Sequence, residues 1–185
     1  MLGRAGAKLD VMSWMNQIAN VLQNYSGGAS TAPNEGEVAN HFSQVAQAAP
    51  TNDLAGGIAS MFRSDQTPPF AQQVSQLFGN SNPSQRANLL NTLLASGAGA
   101  GLLSQITRAS GISIPTSGGA QQVTAEMAAQ IPPQAVQQAA EQAEKHDPSI
   151  VDRVSQVYAQ HPMLVQTLGA LAMSMAMSHL ANRRS

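Results

Sequence analysis

A chain of 185 residues with a formal net charge of −1 and only 10% charged residues lacks the basic patch or stripe of a nucleic-acid binder. It contains no cysteine, which excludes a disulfide framework, thiolate catalysis and thiolate metal sites. Hydrophobic residues make up 43% but aromatics only 4%, so a core must come from close packing of Ala- and Met-rich helices, and a surface so poor in charge repels its own copies weakly.

Leu9, Met12, Met15, Ile18, Val21, Leu22 and Tyr25 recur at three- and four-residue spacing, which predicts an amphipathic helix. Gly27-Gly28 stops it, and Ser26 to Gly36 reads as a polar linker. The apolar residues are spaced rather than continuous, unlike a secretory signal. Met12 is an alternative start of the chain.

From Glu37 onward the punctuation is regular. Val38, Phe42 and Val45 mark a helix ending before Pro50. Leu54, Ile58, Met61 and Phe62 mark the next, with Asn52 or Asp53 as cap. Thr67 followed by Pro68-Pro69 reads as a cap with first-turn prolines. The helix it opens carries Phe70, Val74, Leu77 and Phe78, with Gly79 closing it in a left-handed conformation. Asn82-Pro83 repeats the start signal for Leu89, Leu90, Leu93 and Leu94. The stretch "SGAGAG" (96–101) breaks or bends the chain before Leu102, Leu103 and Ile106.

"GISIPTSGGAQQ" (111–122) is the best candidate boundary, being uncharged and rich in Gly, Ser and Pro. Beyond it, Pro132-Pro133 opens an Ala/Gln-rich helix to about His146. Asp147-Pro148 opens one carrying Ile150, Val151, Val154, Val157 and Tyr158, and His161-Pro162 opens the last, to about Asn182. Strand signals are nearly absent. The expected fold is therefore all-α: a multi-helix bundle with an N-terminal helix and linker (1–35), a helical module (36–110), a linker (111–122) and a second module (123–185). "VSQLF" (74–78) and "VSQVY" (154–158) each precede a polar-Pro pair and a further apolar helix. This suggests a duplicated module, the alternative being chance recurrence in a biased composition.

None of the short motifs carries chemistry. "SGAGAG" lacks the Lys and the preceding strand of a phosphate loop, and gives GxGxG rather than GxGxxG. His41, His146, His161 and His179 include no pair at helical metal spacing. Glu141 and Glu144 share a helix with Lys145, which reads as a solvated face, and no GxSxG elbow exists. The expectation is a non-enzymatic protein with no catalytic, metal or cofactor-binding residues. A ligand carrier or enzyme with a pocket between helices is the third reading.

The most informative segment is "TLGALAMSMAMSHL" (167–180), because no Asp, Glu, Lys or Arg occurs between Arg153 and Arg183. Wound as a helix, Leu164, Leu168, Leu171 and Met175 share one face, and Met173, Met177 and Leu180 fall near the opposite one. Ala170, Ser174 and Ser178 form a small-residue groove between them. A helix apolar on two faces is buried on both sides. The leading expectation is self-association into a homo-oligomer in the bacterial cytoplasm. Its contacts would come from Trp14, Met15 and Ile18 of the first helix and from Leu171, Met173, Met175 and Met177 of the last. The alternative is a peripheral or tail-anchored membrane protein. Pro162 to Ala181 is long enough to cross a bilayer, its small-xxx-small spacing suits lipid and Arg183-Arg184 would face the cytoplasm. Gln166, Thr167, Ser174, Ser178 and His179 weigh against it.

At "FRSDQTPPFAQQVSQLFGNSNPSQRANLLNTLLASG" (62–97) and "YAQHPMLVQTLGALAM" (158–173) the chain resembles the YidB-like group, small helical bacterial proteins of unassigned function. The resemblance implies a bacterial setting and an all-helical fold, and it brings no catalytic residue or cofactor.

Overall fold

In a computed structural model the described residues are 34–96, 99–115 and 122–182, together with the helical positions Asn16, Ala19 and Gln23. The apolar residues expected on the first helix, and Arg183-Arg184, lie outside them. Every regular element among the described residues is helical, so the fold is all-α as the periodicity predicts.

In chain order the helices are α1 (Glu35–Ala48), α2 (Thr51–Phe62), α3 (Phe70–Asn80), α4 (Pro83–Leu94), α5 (Gly99–Ser110), α6 (Ala125–Gln130), α7 (Pro133–His146), α8 (Ile150–Ala159), α9 (Pro162–Val165), a 3-10 turn (Gln166–Leu168) and α10 (Ala170–Asn182).

Proline and asparagine do much of the starting and stopping. Asn82 accepts a hydrogen bond from the Gln85 backbone N–H at 2.9 Å, and the Gln85 side chain accepts from the Asn82 N–H at 3.0 Å. With Pro83 at the first position this is a complete capping box, which satisfies donors that a bare helix start leaves open. Elsewhere the caps differ from expectation. α2 opens directly after Pro50, with Asn52 and Asp53 inside its first turn, where the Asp53 carboxylate complements the helix dipole. α3 opens after Pro69. Thr67 does not cap it: its hydroxyl reaches back to the Met61 carbonyl at 2.7 Å and the Ser64 carbonyl at 3.1 Å, closing α2 instead. Gly79 lies inside α3, and left-handed glycines occur at Gly111 and Gly169. Gly111 ends α5 at φ 71°, with its N–H on the Thr107 carbonyl at 2.8 Å. Thr124 caps the short α6, accepting from the Met127 N–H.

The continuous last helix that the spacing predicts is divided. α9 tightens into the 3-10 turn, and Gly169 then adopts φ 97°, ψ 170°, a region open essentially to glycine alone. α10 starts afresh at Ala170 and is 13 residues long. No helix among the described residues is long and apolar enough to cross a membrane.

One core runs through the fold, drawing on both 36–110 and 123–182. The main packing joins these two stretches to each other: α2 lies on α10 and α8, α3 and α5 lie on α7, and α4 lies on α8 and α6. The pairing is reciprocal. If α2, α3, α4 and α5 form one half, and α7, α8, α9 with the 3-10 turn, and α10 the other, each half's first helix packs on the other's second. The third element of each half (α4; the 3-10 turn) touches the other's second helix, and each fourth (α5; α10) the other's first.

Burial follows the same correspondence. In α2 and α7, Leu54 matches Ala135, Ala55 Val136, Ile58 Ala139, Ala59 Ala140 and Phe62 Ala143, and all are buried. In α3 and α8, Phe70 matches Ile150, Ala71 Val151, Val74 Val154 and Phe78 Tyr158, again all buried. The last two matches lie in the recurring "VSQ" strings. Bulk on one side is offset by alanine on the other: α3, with Phe70 and Phe78, packs on the alanine-lined α7, so the two helices fill one space without overpacking.

Candidate functional site

The residues expected to make subunit contacts divide in the folded chain. Trp14, Met15 and Ile18 lie outside the described residues. Met173 and Met177 are 2% and 0% exposed in the chain's own core, because α10 turns that face onto α2 and α1. In this fold that face of α10 is covered by the chain itself. Met175 is half-buried against the same core. Leu171 is 53% exposed.

Met163, on α9, is 69% exposed, and with Leu171 it is the exposed large apolar side chain of the described residues. The sequence reading passes over it because Pro162 directs attention to the helix start. Both stand on 162–171, one on each side of the Gly169 break, with Leu164 and Leu168 half-buried between them. The break creates this surface. An unbroken helix would keep Leu171 in phase with Leu164 and Leu168, whereas the Gly169 torsion resets the phase and leaves Leu171 outside.

Two polar features accompany it. Ser60 Oγ on α2 and His179 Nδ1 on α10 are 2.7 Å apart and half-buried, from positions 119 residues apart in sequence. A Ser–His hydrogen bond is also the first element of a nucleophile–base pair. Its setting is a closed seam, however. One turn away, a Cβ placed on Gly57 would stand 2.8 Å from the Ala176 carbonyl oxygen. The pair therefore acts as a polar tie between tightly packed backbones.

The second feature is a groove of about 550 Å³ between α4 and α8, lined by the polar Asn88, Asn91, Thr92, Arg153, Gln156 and His161 and by the apolar Ala95 and Val157 among others. Part of this lining is already engaged. Asn91 clamps the Val123 backbone, accepting its N–H at 2.7 Å and donating to its carbonyl at 3.2 Å. Arg153 lies 3.8 Å from Asp147, and Thr92 donates to the Asn88 carbonyl at 2.8 Å.

Charge is sparse and paired at the joint between the halves. Arg63, at the end of α2, meets Asp152 of α8 in a bidentate contact, Nη1–Oδ1 3.0 Å and Nη2–Oδ2 2.9 Å. The hydrogen bonds from Arg63 hold the Asp152 carboxyl below its ordinary range. The same contact, with Glu144 nearby, raises the guanidinium. Asp147 is lowered too, chiefly because the Ser149 hydroxyl donates to it at 2.6 Å. Glu141 and Lys145 stand exposed on α7, on the solvated face expected of them. Among the described residues no three His, Asp or Glu side chains gather as a metal site.

No known protein family, curated protein or solved structure compared with the chain matches it.

Proposed function

We propose that this chain is a non-enzymatic, self-associating helical protein of the bacterial cytoplasm, whose partner is a second copy engaged through the surface around Met163 and Leu171. The observation that carries the reading is their exposure, 69% and 53%, on one short segment, as the exposed large apolar side chains among the described residues. Burying a whole side chain of this kind gains about 1.5–3 kcal/mol. A two-fold contact uses each side chain twice. Methionine adapts to an irregular partner surface, and a chain with 10% charged residues opposes its own approach weakly.

Light scattering coupled to size exclusion tests it on the full chain. The wild type should elute as an oligomer, and Met163→Ser with Leu171→Ser should shift it toward one chain mass with unchanged helicity. A wild type of single-chain mass at all accessible concentrations overturns the reading. The same two side chains would equally serve a peripheral contact with a membrane surface. Flotation with lipid vesicles separates the two, since only that alternative carries the protein into the lipid fraction.

A further inference from the structure

The groove between α4 and α8 has a volume of about 550 Å³, within the range of small-molecule sites, about 300–1,000 Å³. Its charge has one sign: Arg153 stands in the lining and no Asp or Glu does. Arg63 and Arg86 engage the protein itself, through the Asp152 carboxylate and the Phe78 and Gly79 carbonyls. Arg153 is held differently. Its ion-pair partner Asp147 stays 3.8 Å away, beyond hydrogen-bond reach, while the other oxygen of Asp147 accepts from the Ser149 N–H at 3.1 Å and hydroxyl at 2.6 Å. The guanidinium fork thus keeps its donors for something else at the wall of the groove.

Much of the remaining polar wall is neutral amide. Gln156 and Gln160 continue the row of Arg153 at three- and four-residue spacing, along one face of α8 and its cap, and Asn88 faces them from α4. These three carboxamides make no hydrogen bond among the described residues. Each offers donors and an acceptor, as a hydroxyl also does, so a row of amides matches a row of hydroxyls. Ala95 and Val157 give the carbon chain of such a ligand an apolar patch to rest on. We propose that the groove binds a small organic acid of the sugar-acid class, its carboxylate on the Arg153 fork and its hydroxyls on Asn88, Gln156 and Gln160. The site goes beyond self-association and uses neither Met163 nor Leu171.

Gluconate is the probe, since it joins one carboxylate to a chain of hydroxyls. Sorbitol has the hydroxyls without the carboxylate, and inorganic phosphate has the charge without the chain. Each is titrated into the isotope-labelled full chain at constant ionic strength, and the side-chain amide and arginine Nε–H signals are followed by NMR. Gluconate should move the signals of Arg153, Asn88, Gln156 and Gln160 together and saturably. It should bind about tenfold or more tightly than sorbitol or phosphate. Arg153→Gln, at a half-exposed position, should weaken gluconate about tenfold with helicity unchanged, and leave sorbitol as it was. Arg108→Gln on α5, outside the lining, should leave gluconate binding as it was. No saturable shift with gluconate up to about 10 mM overturns the proposal. So does phosphate binding as tightly as gluconate, which makes the groove a general anion site. Equal losses in Arg153→Gln and Arg108→Gln also overturn it, since overall charge then explains the binding.

Discussion

Gly57 on α2 and Ala176 on α10 bring their backbones together: a Cβ on Gly57 would lie 2.8 Å from the Ala176 carbonyl oxygen and 3.4 Å from Leu180 Cγ. The obstacle is backbone, which cannot rotate away. Gly57→Ala should therefore cost about 1–3 kcal/mol, despite the better helix propensity of alanine. Gly79 is the control. It too lies inside a helix, but its added Cβ would meet only Pro133 Cγ, at 3.7 Å. Gly79→Ala should be neutral or stabilise by up to about 1 kcal/mol. Urea unfolding of the two variants checks the contrast, and equal effects would contradict the close seam.

Thr67 is 7% exposed and ties three elements of the chain together. Its hydroxyl donates to the Met61 and Ser64 carbonyls and accepts from Gln73 Nε2 at 3.2 Å. Gln73 is itself buried, and its Oε1 has no hydrogen-bond partner among the described residues. Thr67→Val preserves the shape but removes these hydrogen bonds, while the Met61 carbonyl keeps the Ser64 N–H and Gln73 Nε2 keeps the Pro68 carbonyl. The expected loss is about 1 kcal/mol, read by chemical denaturation. Thr67→Ser should recover most of it, because the hydroxyl returns.

The helix starts are legible in the sequence because proline and asparagine act locally. Asn82-Pro83 and Pro132-Pro133 announce α4 and α7 from bonds made within one turn. The end of the chain is not legible in the same way. From Ala170 to Ser178 every residue is apolar or small: the spacing sets Leu171 on the face opposite Met173 and Met177, but nothing in it says which of the two faces is covered. Gly169 looks like any helix glycine until its φ of 97° is seen. Thr67 has the residue type of a cap, but whether its hydroxyl turns forward or back depends on where α2 ends. The reciprocal packing of the halves rests on shape complementarity between distant helices, of which the "VSQ" recurrence was the one local trace. Met163 stands exposed six positions before the Gly169 break, and the spacing of Leu164 and Leu168 beside it does not mark it as uncovered.

Asp152 couples the joint between the halves to acid. Arg63 lowers its carboxyl in the folded chain, so the folded state releases the proton more readily than the unfolded one. The stabilisation is present above the unfolded carboxyl value near 3.9 and is lost as pH falls below it through the depressed folded value. Both groups are about half exposed, so solvent screens the pair and its worth stays below about 1 kcal/mol. Asp152→Asn should lower stability slightly at pH 7 and flatten the fall below pH 4. High salt should narrow the difference at pH 7. Unfolding midpoints measured from pH 2 to 7 at two ionic strengths check this, and parallel acid limbs for the two proteins would count against the pair.

At one matched position the halves differ in polarity, since Tyr158 carries a hydroxyl and its counterpart Phe78 does not. The ring is 1% exposed, and its oxygen has no hydrogen-bond partner among the described residues. Ser81 stands nearby, but its proton goes to the Leu77 carbonyl at 2.6 Å. Burial pushes the phenol above its ordinary value, and Ser81 offsets only part of that rise. Tyr158→Phe deletes a buried polar atom without opening a large cavity, and should leave stability unchanged or raise it by about 1 kcal/mol. The sign reverses the usual cost of core substitution and separates an orphaned hydroxyl from a bonded one. A second consequence appears in base. A phenol whose folded value lies above its unfolded one holds its proton longer in the native state, so stability falls as pH rises past about 10. The phenylalanine variant should lose that part of the alkaline limb. Thermal unfolding of both proteins between pH 7 and 11 checks the two expectations together, and a variant that is less stable at pH 7 with the same alkaline slope would show that the hydroxyl is bonded in the folded chain.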